Sequence, residues 1–331
     1  MGLFAFLVGC SPITVKENAV PQTQTGIFWT AKDPIDVSGA SAIKGEKKAA
    51  LVVFRVGFAQ GRNQGAHARG AFSGPGTATA TARTKLLGLD TATYQNVANE
   101  VYRHFLEELK SAGFEVVEHA ALQHNPSYAA MAAVESPKAV DSSVAGNVIF
   151  FAPAEMKLAM LPGDEGALSG FNALSPNDPS RVIPKIVAEM GVSAMAVTYY
   201  VDYVNAEGDG GFIATRASVS VGPGLSVRPG SGLQFYGYAA SKCSGFCPNT
   251  TAALKLGQAV YSTEPFGEFV DVTQAEGAQI ALSVFTGLTT GSVRRWKDFE
   301  MRADPAKYQA ITTRILREAN AKLVQAMGEK K

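Results

Sequence analysis

The most constraining stretch of this sequence is 194–204, where Val197, Tyr199, Val201 and Tyr203 alternate with Thr198, Tyr200 and Asp202. A period of two sends the two sets to opposite faces, so the stretch is a strand with one face against a core. Residues 205–211 (Asn-Ala-Glu-Gly-Asp-Gly-Gly) supply a turn. Residues 212–221 return with Ile213, Ala217, Val219 and Val221 on one face, which predicts an antiparallel hairpin. The fold must contain a sheet and elements that cover it.

Covering helices are legible. Over 90–113, Val97, Val101, Phe105, Leu106 and Leu109 recur at spacings of three and four, and Gly113 supplies a stop. A shorter helix spans 182–190 and ends at Gly191. The last runs from the N-cap Asp304 and Pro305 to Met327, with Tyr308, Ile311, Ile315, Ala319 and Leu323 on one face. Further strands are expected at 49–58, whose Leu51-Val52-Val53-Phe54 run suits a central strand, at 114–119, at 147–152 and within 256–271. This order predicts an α/β (α+β) fold, a mixed sheet flanked by helices. One globular domain is expected over 49–331, with long insertions at 59–89, 120–180 and 222–255; the first, rich in Gly, Ala and Thr, reads as a mobile loop.

The 30 Lys and Arg balance 29 Asp and Glu, giving a net charge of +1. Nucleic-acid binding rests on surplus cationic side chains that neutralise phosphates, so that class is set aside.

Residues 1–9 form an apolar run, Met1-Gly2-Leu3-Phe4-Ala5-Phe6-Leu7-Val8-Gly9, ahead of Cys10-Ser11-Pro12. It is too short to cross a bilayer, which takes about 20 apolar residues, and reads as the core of an export signal. Leu7-Val8-Gly9-Cys10 resembles the lipobox of bacterial lipoproteins, which implies cleavage before Cys10 and acylation of that residue. Ser11 after the cysteine resembles lipoproteins sorted to the outer membrane. No Lys or Arg precedes the run, which predicts a start upstream of Met1. Residues 10–48, interrupted by Pro12, Pro21 and Pro34, read as a tether carrying the body away from the membrane. The alternative is a buried N-terminal strand with an incidental cysteine.

With Cys10 lipidated, Cys243 and Cys247 remain as an even pair, which an oxidising periplasm favours as a disulfide. Gly245 gives the short loop the freedom to close. The rival, a redox or copper site, lacks a C-x2-C spacing and a nearby His.

The element order, together with the lipobox, resembles envelope lipoproteins related to the curli secretion channel, to the lipoprotein activators of penicillin-binding proteins and to the N-terminal domain of the Tol-Pal β-propeller protein. Phe114-Glu115-Val116-Val117-Glu118 matches the short strand after their first helix, and Gly191-Val192-Ser193-Ala194 matches the turn into their next long strand. The resemblance implies a periplasm-facing, lipid-anchored accessory factor of an envelope machine, with an unidentified envelope protein as partner and homo-oligomers possible. The same resemblance also admits a ring-forming channel subunit.

Catalytic motifs do not emerge. His67, His104, His119 and His124 form no H-E-x-x-H or Cys/His cluster, and no G-x-S-x-G, P-loop or G-x-G-x-x-G after a strand is present. No metal or cofactor is expected. A periplasmic hydrolase whose site is assembled from distant residues remains the rival class. Glu207 and Asp209 read as a solvated turn rather than a calcium loop, and Arg294-Arg295-Trp296-Lys297 as a surface segment balanced by Asp298, Glu300 and Asp304. Tyr236, Tyr238 and Phe246, in the Gly-rich insertion beside the cysteines, compose a candidate partner surface. A loop folded over its own core fits that composition equally.

Overall fold

The structure is a computed structural model that describes residues 13–17, 20–21, 33–69, 77–142, 146–161, 175–209, 217–238, 250–273 and 293–331. In chain order the strands are β1 (Ile13–Val15), β2 (Ile35–Ser38), β3 (Lys48–Arg69), β4 (Thr77–Leu87), β5 (Glu115–Val116), β6 (Lys138–Ser142), β7 (Gly146–Phe151), β8 (Ser193–Asp209), β9 (Ser218–Val227), β10 (Gly232–Tyr236), β11 (Thr251–Leu256), β12 (Val260–Ser262), β13 (Gly267–Asp271) and β14 (Val293–Ala303). The helices are α1 (Thr91–Ser111), α2 (His119–Gln123), α3 (Pro126–Ala130), α4 (Pro179–Met190) and α5 (Pro305–Gly328).

All the described strands join one mixed sheet, with the main path β13-β14-β4-β3-β8-β10-β11-β2. The fold is α/β. At its centre β3 lies parallel to β8 over Ala49–Phe58 with β7 antiparallel on its other edge, and from Gly61 onward it pairs antiparallel with β4. The continuous apolar run of β3 follows from burial of both its faces. Leu51, Phe54, Val56 and Phe58 face a core closed by α1 and α5; Ala50, Val52 and Val53 face a second core closed by α2, α3 and α4.

In the first core Phe54 packs edge-on or tilted against Tyr102, Phe105 and Tyr199, with ring centroids 5.5, 5.8 and 5.9 Å away. Asn320 of α5 ties the layers together. Its Oδ1 accepts from Tyr199 Oη at 2.6 Å, and its Nδ2 donates to the Val101 carbonyl at 2.9 Å. Burial pushes the Tyr199 phenol well up, so it stays protonated and donates. Helix starts follow the expected chemistry: Asp90 and Asp304 accept from the backbone N–H groups of Thr93 and Lys307, and Pro305 occupies the first turn.

Several expectations are corrected. Where a mobile loop was expected over 59–89, β3 runs on to Arg69 and β4 returns from Thr77. Alternation of Ala with Thr is a strand pattern written in small residues, and Ala66, Ala80 and Ala82 are buried along it. The expected tether of 10–48 is partly annealed to the body: β1 lies parallel to β9, and β2 forms an edge on β11, with Ile43 fully buried just beyond it. The expected insertion at 222–255 instead supplies β9, β10 and β11, with β10 paired on both edges. Only Glu115–Val116 of the expected strand 114–119 is extended, and His119 opens α2. The turn expected at 205–211 begins later, since β8 continues to Asp209. The single strand expected within 256–271 is the end of β11 followed by β12 and β13.

Replacing Asn320 by Ala should orphan the Tyr199 hydroxyl and open space between the helices. The expected cost is about 2–4 kcal/mol, read as a lower urea midpoint at unchanged slope. Asp304→Ala, which removes only a cap, should cost about 1 kcal/mol in the same assay.

Candidate functional site

The parallel pairing of β3 with β8 ends at Phe58 and Val201. Beyond it β3 pairs with β4 and β8 with β9, so the two central strands part. The carboxyl ends of neighbouring parallel strands are where open α/β sheets form crevices. Here the crevice is a cleft of about 190 Å³. Apolar walls come from Ala82, Val204, Ala206 and Val221, and polar groups converge from both hairpins.

Asp202, 5% exposed, holds the centre. Its Oδ2 meets Arg62 Nε at 3.0 Å and Arg228 Nε at 3.9 Å. Its Oδ1 accepts the Tyr203 backbone N–H at 3.1 Å. Arg62 stands directly opposite Thr84 in the β3–β4 register, and Thr84 Oγ1 lies 2.9 Å from the Oη of Tyr203, which is buried in the first core. Asn205 and Ser226, both buried, complete the wall, with 3.4 Å from Ser226 Oγ to Asn205 Oδ1. Arg228 follows β9, and its own N–H bonds the Tyr200 carbonyl at 2.9 Å. Burial, reinforced by the neighbouring Arg62 charge, lowers the Arg228 pKa against the opposing pull of Asp202. Two guanidinium groups thus face one carboxylate in a half-dry site.

The residues singled out from sequence fall elsewhere. Cys10, Cys243, Cys247 and Phe246 lie outside the described residues. Tyr236 is not part of an exposed partner surface: it lies on β10 inside the second core, 6% exposed, with its phenol pushed up to about 12 by burial. Strand pairing on both edges of β10 is the physical reason. Tyr238 is half-buried, its ring beside Gly191 and its N–H on Glu46 Oε1 at 2.8 Å. His104 meets Glu108 at 3.4 Å, His119 stacks edge-on against Tyr128, and His124 Nδ1 contacts the Ala120 carbonyl at 2.6 Å. Among the described residues no group of three or more His, Cys, Asp and Glu is placed to hold a metal. Lys297 and Asp298 pair with Asp271 and Arg83, which ties that basic segment into the sheet.

Sequence reasoning missed Arg62 and Arg228, because both fell in stretches read as loops. Asp202 did carry a signal, an acid in the middle of an otherwise buried strand. Asp202→Asn should remove the buried carboxylate that both Arg62 and Arg228 face. The expected loss is about 3 kcal/mol in urea unfolding, well beyond that of an exposed Asp→Asn change.

Comparison of the chain with models of protein families, with curated protein sequences and with solved structures finds no match.

Proposed function

We propose that this protein is a lipid-anchored, periplasm-facing accessory factor of an envelope machine, held by Cys10 on the outer membrane and acting through protein partners rather than by catalysis. The carrying observation is the position of β1. It begins three residues after Cys10 and runs parallel to β9, pairing Ile13 with Val219 and Val15 with Val221.

That register fixes a direction. β9 descends from the end of the molecule where β3 and β8 finish and β4, β9 and β14 begin, so Ile13 is the end of β1 nearer that pole. Three residues span at most about 11 Å. A lipid on Cys10 therefore keeps the hairpin pole close to the bilayer, in place of the long tether that composition predicts. Among the described residues no helix is long and apolar enough to cross a membrane, and an acyl anchor needs none.

The first test is native mass spectrometry of detergent-extracted protein expressed from its gene together with the DNA upstream of Met1. Acyl mass on Cys10 in a monomer or small oligomer is the expected result, and Cys10→Ser should move the protein from the membrane to the soluble fraction. A large lipidated ring would instead identify a channel subunit. Unlipidated protein with an intact N-terminus would overturn the anchored reading and return the hydrolase to the front.

A further inference from the structure

We infer that His104 is an acid-released latch between α1 and α5: its neutral imidazole accepts a hydrogen bond from Asn320, and protonation turns that contact into a clash of two donors that loosens the seam. The latch stands apart from the proposed anchoring, since it needs no lipid on Cys10.

Asn320 fixes the chemistry because its amide has no freedom left. It is fully buried, its Oδ1 accepts from Tyr199 Oη at 2.6 Å, and its Nδ2 donates to the Val101 carbonyl at 2.9 Å. Turning the amide over would set its oxygen against that carbonyl, which has no proton to give. The amide nitrogen is therefore the group that His104 meets, with 3.2 Å between Nδ2 and Nδ1. An amide nitrogen only donates, so Nδ1 is the lone-pair nitrogen and the ring proton sits on Nε2. Nε2 in turn lies 3.4 Å from Glu108 Oε1. Neutral His104 thus continues a run of donors that leads from Tyr199 through Asn320 to Glu108.

Protonation breaks one link of that run. An imidazolium carries N–H on both ring nitrogens, so Nδ1 would aim a proton at a group that has only protons to offer. Glu108 draws the cation the other way, and the His104 side chain, 20% exposed, is open to protons from solvent. Histidine is the side chain that ordinarily changes charge between about pH 5 and 8.

The other charges around the ring are turned away or already paired. Glu107 points to solvent, and Arg103 Nε donates to the Asn99 carbonyl at 3.3 Å. One turn back on each helix, Glu100 holds Arg317 at 2.7 Å. Glu318 and Lys322, two residues either side of Asn320, occupy the opposite face of α5 and pair with each other at 2.7 Å. Beneath the seam β3 and β8 present Phe54 and Tyr199, and burial keeps the Tyr199 phenol protonated. Because α5 also packs over β2, β9, β11 and β12, the seam that His104 guards holds that flank of the sheet as well.

The test uses the full chain and reads two things. Nitrogen NMR of isotope-labelled imidazoles, assigned by difference against His104→Gln, reads the tautomer. Deuterium uptake, corrected for the intrinsic effect of pH on exchange, reads opening of α5. At about pH 8 the His104 proton is expected on Nε2. Uptake around Asn320 should be about tenfold faster near the acid end of the histidine range than at its alkaline end, the scale of one lost buried hydrogen bond. Glutamine offers an uncharged acceptor at every pH, so His104→Gln should erase the difference. Glu108→Gln removes the charge that stabilises the imidazolium and should move the transition to lower pH. A proton on Nδ1 in the neutral ring, uptake indifferent to pH, or an equal response in His104→Gln would overturn the latch. If His104→Gln does not fold, Glu108→Gln decides, and a transition that stays in place overturns it.

Discussion

Everything in this molecule is arranged around a strand that cannot tolerate water on either face. From Ala49 to Phe58, β3 exposes almost nothing to solvent, and its alternating side chains enter two separate cores. One layer of helices could cover only half of it. The chain meets the demand by spending α1 and α5 on one face and α2, α3 and α4 on the other, and by placing β8 alongside as a second strand with both faces buried. Removing water from two parallel neighbours in this way leaves their backbone groups to be satisfied by the sheet itself, which the ladder does from Ala49 to Phe58.

The same arrangement creates the cleft. A parallel pair that continued for the full 22 residues of β3 would leave no opening. Because each strand turns to its own hairpin partner after Phe58 and Val201, polar side chains replace apolar ones at the point of divergence. The charged cluster is therefore a product of topology rather than of local sequence. Asp202 lies between Arg62 and Arg228, so one carboxylate engages arginines from two different hairpins.

Much of the architecture was legible because the residues that form it are large. The α1, α4 and α5 helices, the strand at 194–204 and the strand at 147–152 all carry bulky apolar residues at a clear period, and Asp90, Asp304, Gly113 and Gly191 mark ends. Strand β4 and the outer half of β3 were not legible, because close approach of backbones there is met by Ala, Gly and Thr, the composition of a loop. β10 and β11 were hidden in the same way by the glycines and proline that flank them. The site was less legible still: Arg62, Asp202 and Arg228 lie far apart in sequence, no short spacing links them, and only the register of four strands brings them together. Tyr236 shows the converse error, an aromatic beside glycines that reads as a surface and is core.

Strand β1 bears on how the chain is made. Its partner on β9 lies some 206 positions later, as the contact between Thr14 and Ser220 at 3.0 Å records. During synthesis, which proceeds at about 5–20 residues per second, the first strand has no place to anneal until β9 has emerged. Loop closure over that span is entropically costly, so β1 belongs among the last elements to settle. β1 thus stays apart from the sheet until β9 is in place. Only afterwards does the completed sheet draw it in, making a docked first strand the mark of a finished molecule.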